Sequence, residues 1–175
     1  IPRVFEHLFQ AINEVEAESE LHQSEGGDRI KFALKCSFLE IYKESITDLL
    51  EPSSTNLQVR EVANRGVHVD NLKEVPVSNM VETLDLLRIG TEHRRMGETR
   101  MNRESSRSHS VFACVLESKS TSTTGVTSTR LSRLNLVDLA GSERQKTSGA
   151  TGDRLKEASS INKSLSALGH VITSL

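Results

Sequence analysis

The run Leu134-Asn-Leu-Val-Asp138-Leu-Ala-Gly141-Ser-Glu143 constrains the fold more than any other stretch of this chain. Residues that suit a buried strand lead into an acid, and a glycine follows it closely. A parallel strand covered on both faces reads as a continuous apolar run, and this one does apart from Asn135. An acid at its carboxyl end would point into the crevice where open α/β sheets bind ligands. The glycine lets the backbone approach a phosphate closely. Taken alone, Asp-x-x-Gly is equally a strand end followed by a turn, so its meaning depends on the rest of the chain.

The remaining pattern alternates between helical and strand periods. Pro2 suits the first turn of a helix. Val4, Leu8, Ile12 and Val15 then recur at helical spacing, predicting an amphipathic helix of roughly four turns. The polar stretch from Glu18 to Asp28, with Gly26-Gly27, reads as a surface loop. Ile30 to Ile41 is rich in strand formers, and Tyr42 to Leu50 reads as a short helical turn ending before Pro52. Leu57 to Val62 and Val67 to Val69 read as two short strands around an Asn64-Arg65-Gly66 turn. Asn79 can cap a helix, with Glu82 at capping-box spacing. Met80, Leu84 and Leu87 mark its buried side, and Gly90 weakens the pattern without ending it. Val111 to Leu116 is a strand, and the Ser/Thr-rich Ser118 to Thr129 is an exposed hairpin connection. Leu131 to Leu139 is expected as the central strand. A last helix from about Arg154 carries Leu155, Ala158, Ile161, Leu165, Leu168 and Ile172 on one side. The alternation, with some strands in hairpin-like pairs, predicts a mixed sheet flanked by helices.

Composition narrows the class. A chain of 175 residues suits one domain or a large part of one. Lys and Arg number 22 against 24 Asp and Glu, a net charge of −2. That balance argues against a surface given over to nucleic acid, while leaving room for a local basic patch. The two cysteines, Cys36 and Cys114, make neither a metal spacing nor a disulfide framework, so a reducing compartment is expected. No apolar run reaches the ~18 residues of a membrane span, and there is no signal-peptide pattern. The chain opens on Ile1-Pro2 without an initiating Met and closes inside an apolar helical stripe, so it is expected to be an internal part of a domain.

The second informative stretch is Met101-Asn102-Arg-Glu-Ser105-Ser106-Arg107-Ser108-His109. Hydroxyls are hard oxygen ligands suited to Mg²⁺ and to phosphate oxygens, and Arg107 can grip a carboxylate or phosphate as a fork. The same residue types also serve as a capping loop. In P-loop nucleotidases, an acid placed like Asp138 holds Mg²⁺. The basic run His93, Arg94, Arg95, Arg100 and Arg103 has no interleaved aromatic stacking pattern and is expected on a helix surface. His109 has serine neighbours but no triad order, which sets aside a hydrolase.

Three segments, Asn102-x-x-Ser105-Ser106-Arg107-Ser108-His109, Asp138-Leu-Ala-Gly-Ser-Glu143 and Ile161-Asn-Lys-Ser-Leu-Ser-Ala-Leu-Gly169, together resemble the signatures of the kinesin motor domain, in that family's order. The resemblance covers essentially the whole chain. Arg-Gln-Lys after Glu143 and Arg154-Leu-Lys-Glu-Ala158 look most like the kinesin-12 class. Ser160 and Thr151 depart from the family pattern, which usually has Asn at the first position and often an acid at the second.

The resemblance implies a P-loop NTPase-like α/β fold: a mixed central sheet flanked by helices, with 1–175 an internal part of a single motor domain. It implies a parent that is a Mg²⁺-dependent ATPase and microtubule motor. Asn102 to His109 would be switch I: Ser106 approaches Mg²⁺, Ser105 meets the γ-phosphate and Asn102 helps order the site. Asp138 to Glu143 would be switch II. There Asp138 holds Mg²⁺ through water, the Gly141 N–H senses the γ-phosphate, and Glu143 pairs with Arg107 to close the switches around ATP.

Tubulin would be met by a locally basic end that includes Arg144, Lys146, Arg154, Lys156, Asn162 and Lys163. Arg65, with Arg60, would form a second contact. The expected partners are microtubules, without nucleic acid or membrane, in a parent that oligomerises through a coiled-coil stalk outside this chain. The expected location is the cytoskeleton of the cytoplasm, at spindle or phragmoplast. No glycine here is followed directly by lysine, so the Gly-Lys-Ser/Thr phosphate loop would lie upstream and the isolated chain would be inactive. The alternative is a motor-like microtubule binder that no longer hydrolyses nucleotide.

Overall fold

The computed structural model describes residues 1–23, 27–63, 66–101, 107–141 and 153–174, and the side chains of these except 23, 98–101 and 153–161. In chain order the elements are α1 (Pro2–Gln23), β1 (Arg29–Tyr42), β2 (Ser45–Asp48), β3 (Thr55–Leu57), β4 (Val59–Val62), β5 (Gly66–Val69), β6 (Val75–Val77), α2 (Met80–Met101), β7 (His109–Thr121), β8 (Thr127–Asp138) and α3 (Asp153–Ser174). The mixed central sheet has the order β3-β2-β1-β7-β8, with β6 pairing β1 beside this path; β4 and β5 form a separate two-stranded sheet. The chain divides into two compact units. One holds Ile1–Ser37, Lys73–Ile89 and Phe112–Leu136; the other holds Phe38–Leu72, Gly90–Val111 and Val137–Leu175.

In the first unit, α1 is held by Phe5, which is fully buried and meets Phe112 edge to face at 5.9 Å between ring centroids. Leu8 and Ile12 are half-buried as expected, but Val4 and Val15 are exposed, so the buried stripe is rotated toward Phe5. The helix also continues through the stretch read as a loop, to Gln23. Polar contacts explain the extension. Ser19 Oγ accepts the Ile30 N–H at 3.1 Å, Glu16 accepts the Phe32 N–H at 2.7 Å, and Lys31 donates to Glu20 at 2.7 Å. That last bond holds the exposed Glu20 carboxyl below its usual range.

β6 pairs antiparallel with β1, Leu34 opposite Val77. Cys36 and Cys114 are buried free thiols with sulfurs 3.4 Å apart. The neighbouring thiol and burial push Cys114 far above the ordinary thiol range. The Ser/Thr-rich stretch is a hairpin as expected, but mostly strand. β7 runs to Thr121, β8 starts at Thr127, and Gly125 takes the left-handed φ of 82° that their turn requires.

In the second unit, Tyr42 to Leu50 is a strand hairpin where a helical turn was expected. Lys43 and Glu44 both have positive φ (50° and 63°), the mark of a two-residue hairpin turn, and Tyr42 pairs with Ser45. Asp48 is fully buried and accepts the Leu50 and Glu51 N–H groups, which fixes the turn after β2. Leu57 belongs to β3 rather than to the β4–β5 hairpin, whose register is Val59 opposite Val69.

Asn79 and Glu82 form the expected cap of α2. Asn79 Oδ1 accepts the Glu82 N–H at 2.9 Å, and Glu82 accepts the Ser78 N–H at 2.7 Å. Gly90 sits under Phe38, so close that a Cβ there would lie 2.2 Å from Phe38 Cδ1. The strand expected at the centre, β8, is the end strand of the described sheet. Its residues are exposed or half-exposed along their whole length.

Candidate functional site

The site grows from one buried acid. Glu40 interrupts the apolar run Phe38-Leu-Glu-Ile41 on β1, and its side chain is 5% exposed. A carboxylate so buried needs a cation or hydrogen-bond donors. Both are present: Arg94 of α2, 11% exposed, places Nε 3.4 Å from Glu40 Oε1, and Ser108 Oγ donates to the same oxygen at 2.7 Å. The rest of the guanidinium faces two further segments. Nη1 donates to Asp138 Oδ2 at 2.9 Å and Ser110 Oγ at 3.1 Å; Nη2 donates to the Ser108 carbonyl at 3.0 Å and its Oγ at 3.2 Å. One cation therefore ties α2 to β1, to the end of the Ser-Ser-Arg-Ser-His run, and to the acid that ends β8.

Asp138 itself is 71% exposed. A carboxylate open to solvent is a hard-oxygen group of the kind that suits Mg²⁺, whereas the described serines of this cluster, Ser108 and Ser110, are buried and bond Arg94. Mg²⁺ is usually held by one or two carboxylates and substrate phosphates rather than by an all-protein cage. Among the described residues, Asp138 is thus the group of this cluster that suits the metal implied by the resemblance.

His109, the first residue of β7, is 9% exposed and bonded through both ring nitrogens. Nδ1 accepts the Ala140 N–H at 2.9 Å, and Nε2 lies 2.9 Å from Ser164 Oγ on α3. Because a backbone N–H can only donate, the proton of the neutral ring must sit on Nε2, which donates to Ser164. Burial first, then the nearby Arg94 charge, lowers the His109 pKa below its usual value.

Among the residues singled out from sequence, Asp138 is in the cluster, Gly141 follows it in exposed backbone, and Arg107 is half-exposed just before Ser108. On α3, Lys163 is exposed and Asn162 half-exposed. Asn102, Ser105, Ser106, Glu143, Arg144, Lys146 and Arg65 lie outside the described residues, as do the side chains of Arg154 and Lys156. Arg60 is exposed and pairs with Asp70 at 3.0 Å.

The basic run on α2 needs correction. Arg95 is on the surface, but Arg94 turns inward and His93 Nδ1 donates to the Leu49 carbonyl at 2.7 Å. The signal was present. Thr83, Leu87, Gly90 and Arg94 fall on one helical stripe, and a lone acid in an apolar strand asks for a cation.

Known proteins resemble this chain over its whole length. The family described as the kinesin motor domain matches residues 1–175. The chain is 62% identical over 174 residues to Kinesin-like protein KIN-12D of Arabidopsis thaliana, covering 98% of this chain and 6% of that protein. It is 59% identical to Kinesin-like protein KIN-12G of Oryza sativa subsp. japonica, covering 99% of this chain and 13% of that protein. Kinesin-like protein KIF15 of Strongylocentrotus purpuratus is 54% identical over 175 residues, 11% of its length. A solved fast kinesin, described for its ATPase mechanism and interactions with microtubules, matches all of this chain and 46% of its own, with a TM-score of 0.78 and 43% identity. The chain thus spans a small part of these relatives and about half of the solved motor.

Proposed function

The chain belongs to the kinesin motor-domain family, and on that premise we propose that it is an internal part of one motor domain of the kinesin-12 type, in a parent that splits ATP to move along microtubules. The observation that carries this reading is the Arg94 cluster, in which Ser108 and Asp138 bond the same guanidinium. In the motor reading these residues belong to the two loops that must sense a γ-phosphate together. A shared cation supports their acting as a pair.

In this reading, Asp138 would hold Mg²⁺ through water, and Ser106 would approach the metal. Ser105 and the Gly141 N–H would meet the γ-phosphate, and Asn102 would help order the loop. Bound Mg²⁺ supplies charge neutralisation at the β- and γ-phosphates. Arg107 and Glu143 close the loops over the nucleotide; a buried Arg–Glu pair adds little net stability but latches two states well. The phosphate-cradling loop comes from the parent outside this chain, whose glycines are never followed by lysine. Lys163 and Asn162 of α3, with Arg144, Lys146, Arg154 and Lys156, present the basic face to acidic tubulin, and Arg65 adds a smaller contact.

The test is Arg107→Ala in the parent motor domain. Microtubule-stimulated turnover is expected to fall by about 10²-fold or more, the loss typical of removing a charge that organises the transition state, while microtubule binding persists. Unchanged stimulated turnover would overturn the latch.

A further inference from the structure

His109 is a buried side chain that the proposed mechanism leaves without a role, and it touches two elements that mechanism needs to connect. Its Nδ1 accepts the N–H of Ala140, between Asp138 and Gly141, and its Nε2 donates to Ser164, next to Lys163 on α3. Ala140 is itself 3% exposed, so no bulk water stands ready to replace the ring if the bond is lost.

The ring is rigid, and both its nitrogens are committed. A shift of the 139–141 backbone must break the bond to Ala140 or turn the ring. A turned ring pulls on Ser164 and therefore on α3. Protonation would set a donor at Nδ1 against the donating Ala140 N–H. Burial and Arg94 oppose it, while Asp138 and Glu44 favour it.

We propose that His109 is a positioning residue that transmits the backbone position after Asp138 to helix α3, and the position of α3 back to that backbone. The inference rests on the motor reading and specifies which side chain couples its nucleotide loop to its track-binding helix. Coupling of this kind is reciprocal: what microtubules do to the loop through α3, nucleotide does to α3 through the loop.

The experiment uses the parent motor with Ser164→Ala, His109→Gln and His109→Asn. Asn can keep an acceptor near the Nδ1 position, for Ala140, but cannot reach Ser164. Gln can reach Ser164 but leaves Ala140 without its acceptor. Ser164→Ala keeps the ring and cuts only the outer bond. Basal turnover of Ser164→Ala is expected within about twofold of wild type, while its microtubule stimulation falls on the order of tenfold, within the usual range of coupling strengths. Each histidine variant, lacking one half of the bridge, should lose stimulation similarly. Unchanged stimulation in all three folded variants would overturn the proposal.

A second readout does not depend on activity. Histidine-selective ¹⁵N spectra should show the Nε2-protonated tautomer, and Ser164→Ala should speed hydrogen exchange at the Ala140 amide. The opposite tautomer, or unchanged Ala140 exchange, would overturn the bridge itself. If the wild-type parent shows no microtubule stimulation, the motor reading fails, and these spectra still test the bridge separately.

Discussion

At the scale of single residues, Arg94 and Glu40 show what sequence reading can reach and where it stops. Both were visible as types: an acid inside an apolar strand and an arginine in a basic run. Their pairing joins positions 40 and 94, a distance in sequence across which no local pattern carries information. Arg94→Ala would take the guanidinium away from the buried Glu40 carboxylate, while the Ser108 hydroxyl still donates to it. Losing one member of a buried pair typically costs about 3–5 kcal/mol. The urea midpoint of the parent motor domain should fall accordingly, and an unchanged midpoint would show that Glu40 is stabilised without Arg94.

His109 gives a pH signature at the same scale. Its ring binds a proton more weakly when folded than when unfolded, because burial lowers its pKa from 6.5. The contribution is therefore complete above about pH 6.5 and is lost as pH falls toward the lower folded value. Stability measured between pH 7.5 and 5.5 should decline more steeply in wild type than in His109→Gln. Parallel curves would place the acid sensitivity elsewhere.

At the scale of elements, periodicity found the long helices and strands but misjudged their limits where side chains rather than period set them. α1 outruns its apolar stripe because Glu16, Ser19 and Glu20 bond β1. The β1–β2 hairpin was misread because its turn places Lys43 and Glu44 at positive φ, without the Asn-Gly or Asp-Gly that usually announces such a turn.

In α2 the two glycines separate packing from propensity. Gly90→Ala brings a methyl group against the Phe38 ring, whereas Gly97 has nothing within 4 Å of its would-be Cβ. Overpacking costs about 1–3 kcal/mol, against a helix-propensity gain of up to about 1 kcal/mol. Gly90→Ala should therefore lower the denaturation midpoint, and Gly97→Ala should leave it unchanged or raise it slightly. Equal effects at the two sites would mean that the Phe38 contact relaxes freely.

At the scale of the whole molecule, the mixed sheet and flanking helices were legible in the sequence, and the family follows from motifs spread over its length. What no pattern could give was the cover of β8 and the outer face of α3. Both carry apolar residues open to solvent, among them Leu131, Val137, Leu168, Val171 and Ile172. An exposed, apolar edge strand is a template for pairing with another chain. The 175-residue chain on its own should therefore self-associate and bind a hydrophobic dye such as ANS. A monomeric, dye-silent isolated chain would show that these surfaces are harmless on their own.

The proposed role of Asp138 and its neighbours is that of a nucleotide switch in a microtubule-stimulated ATPase. Steady-state ATP turnover of the parent motor domain, with and without microtubules, in wild type and Asp138→Asn, tests it most directly. Wild type should be strongly stimulated, and the variant should lose about 10²-fold or more, as expected when a charge-organising group is removed, with microtubule binding retained. A wild-type protein that binds microtubules but does not turn over ATP, or an Asp138→Asn variant as fast as wild type, would contradict it.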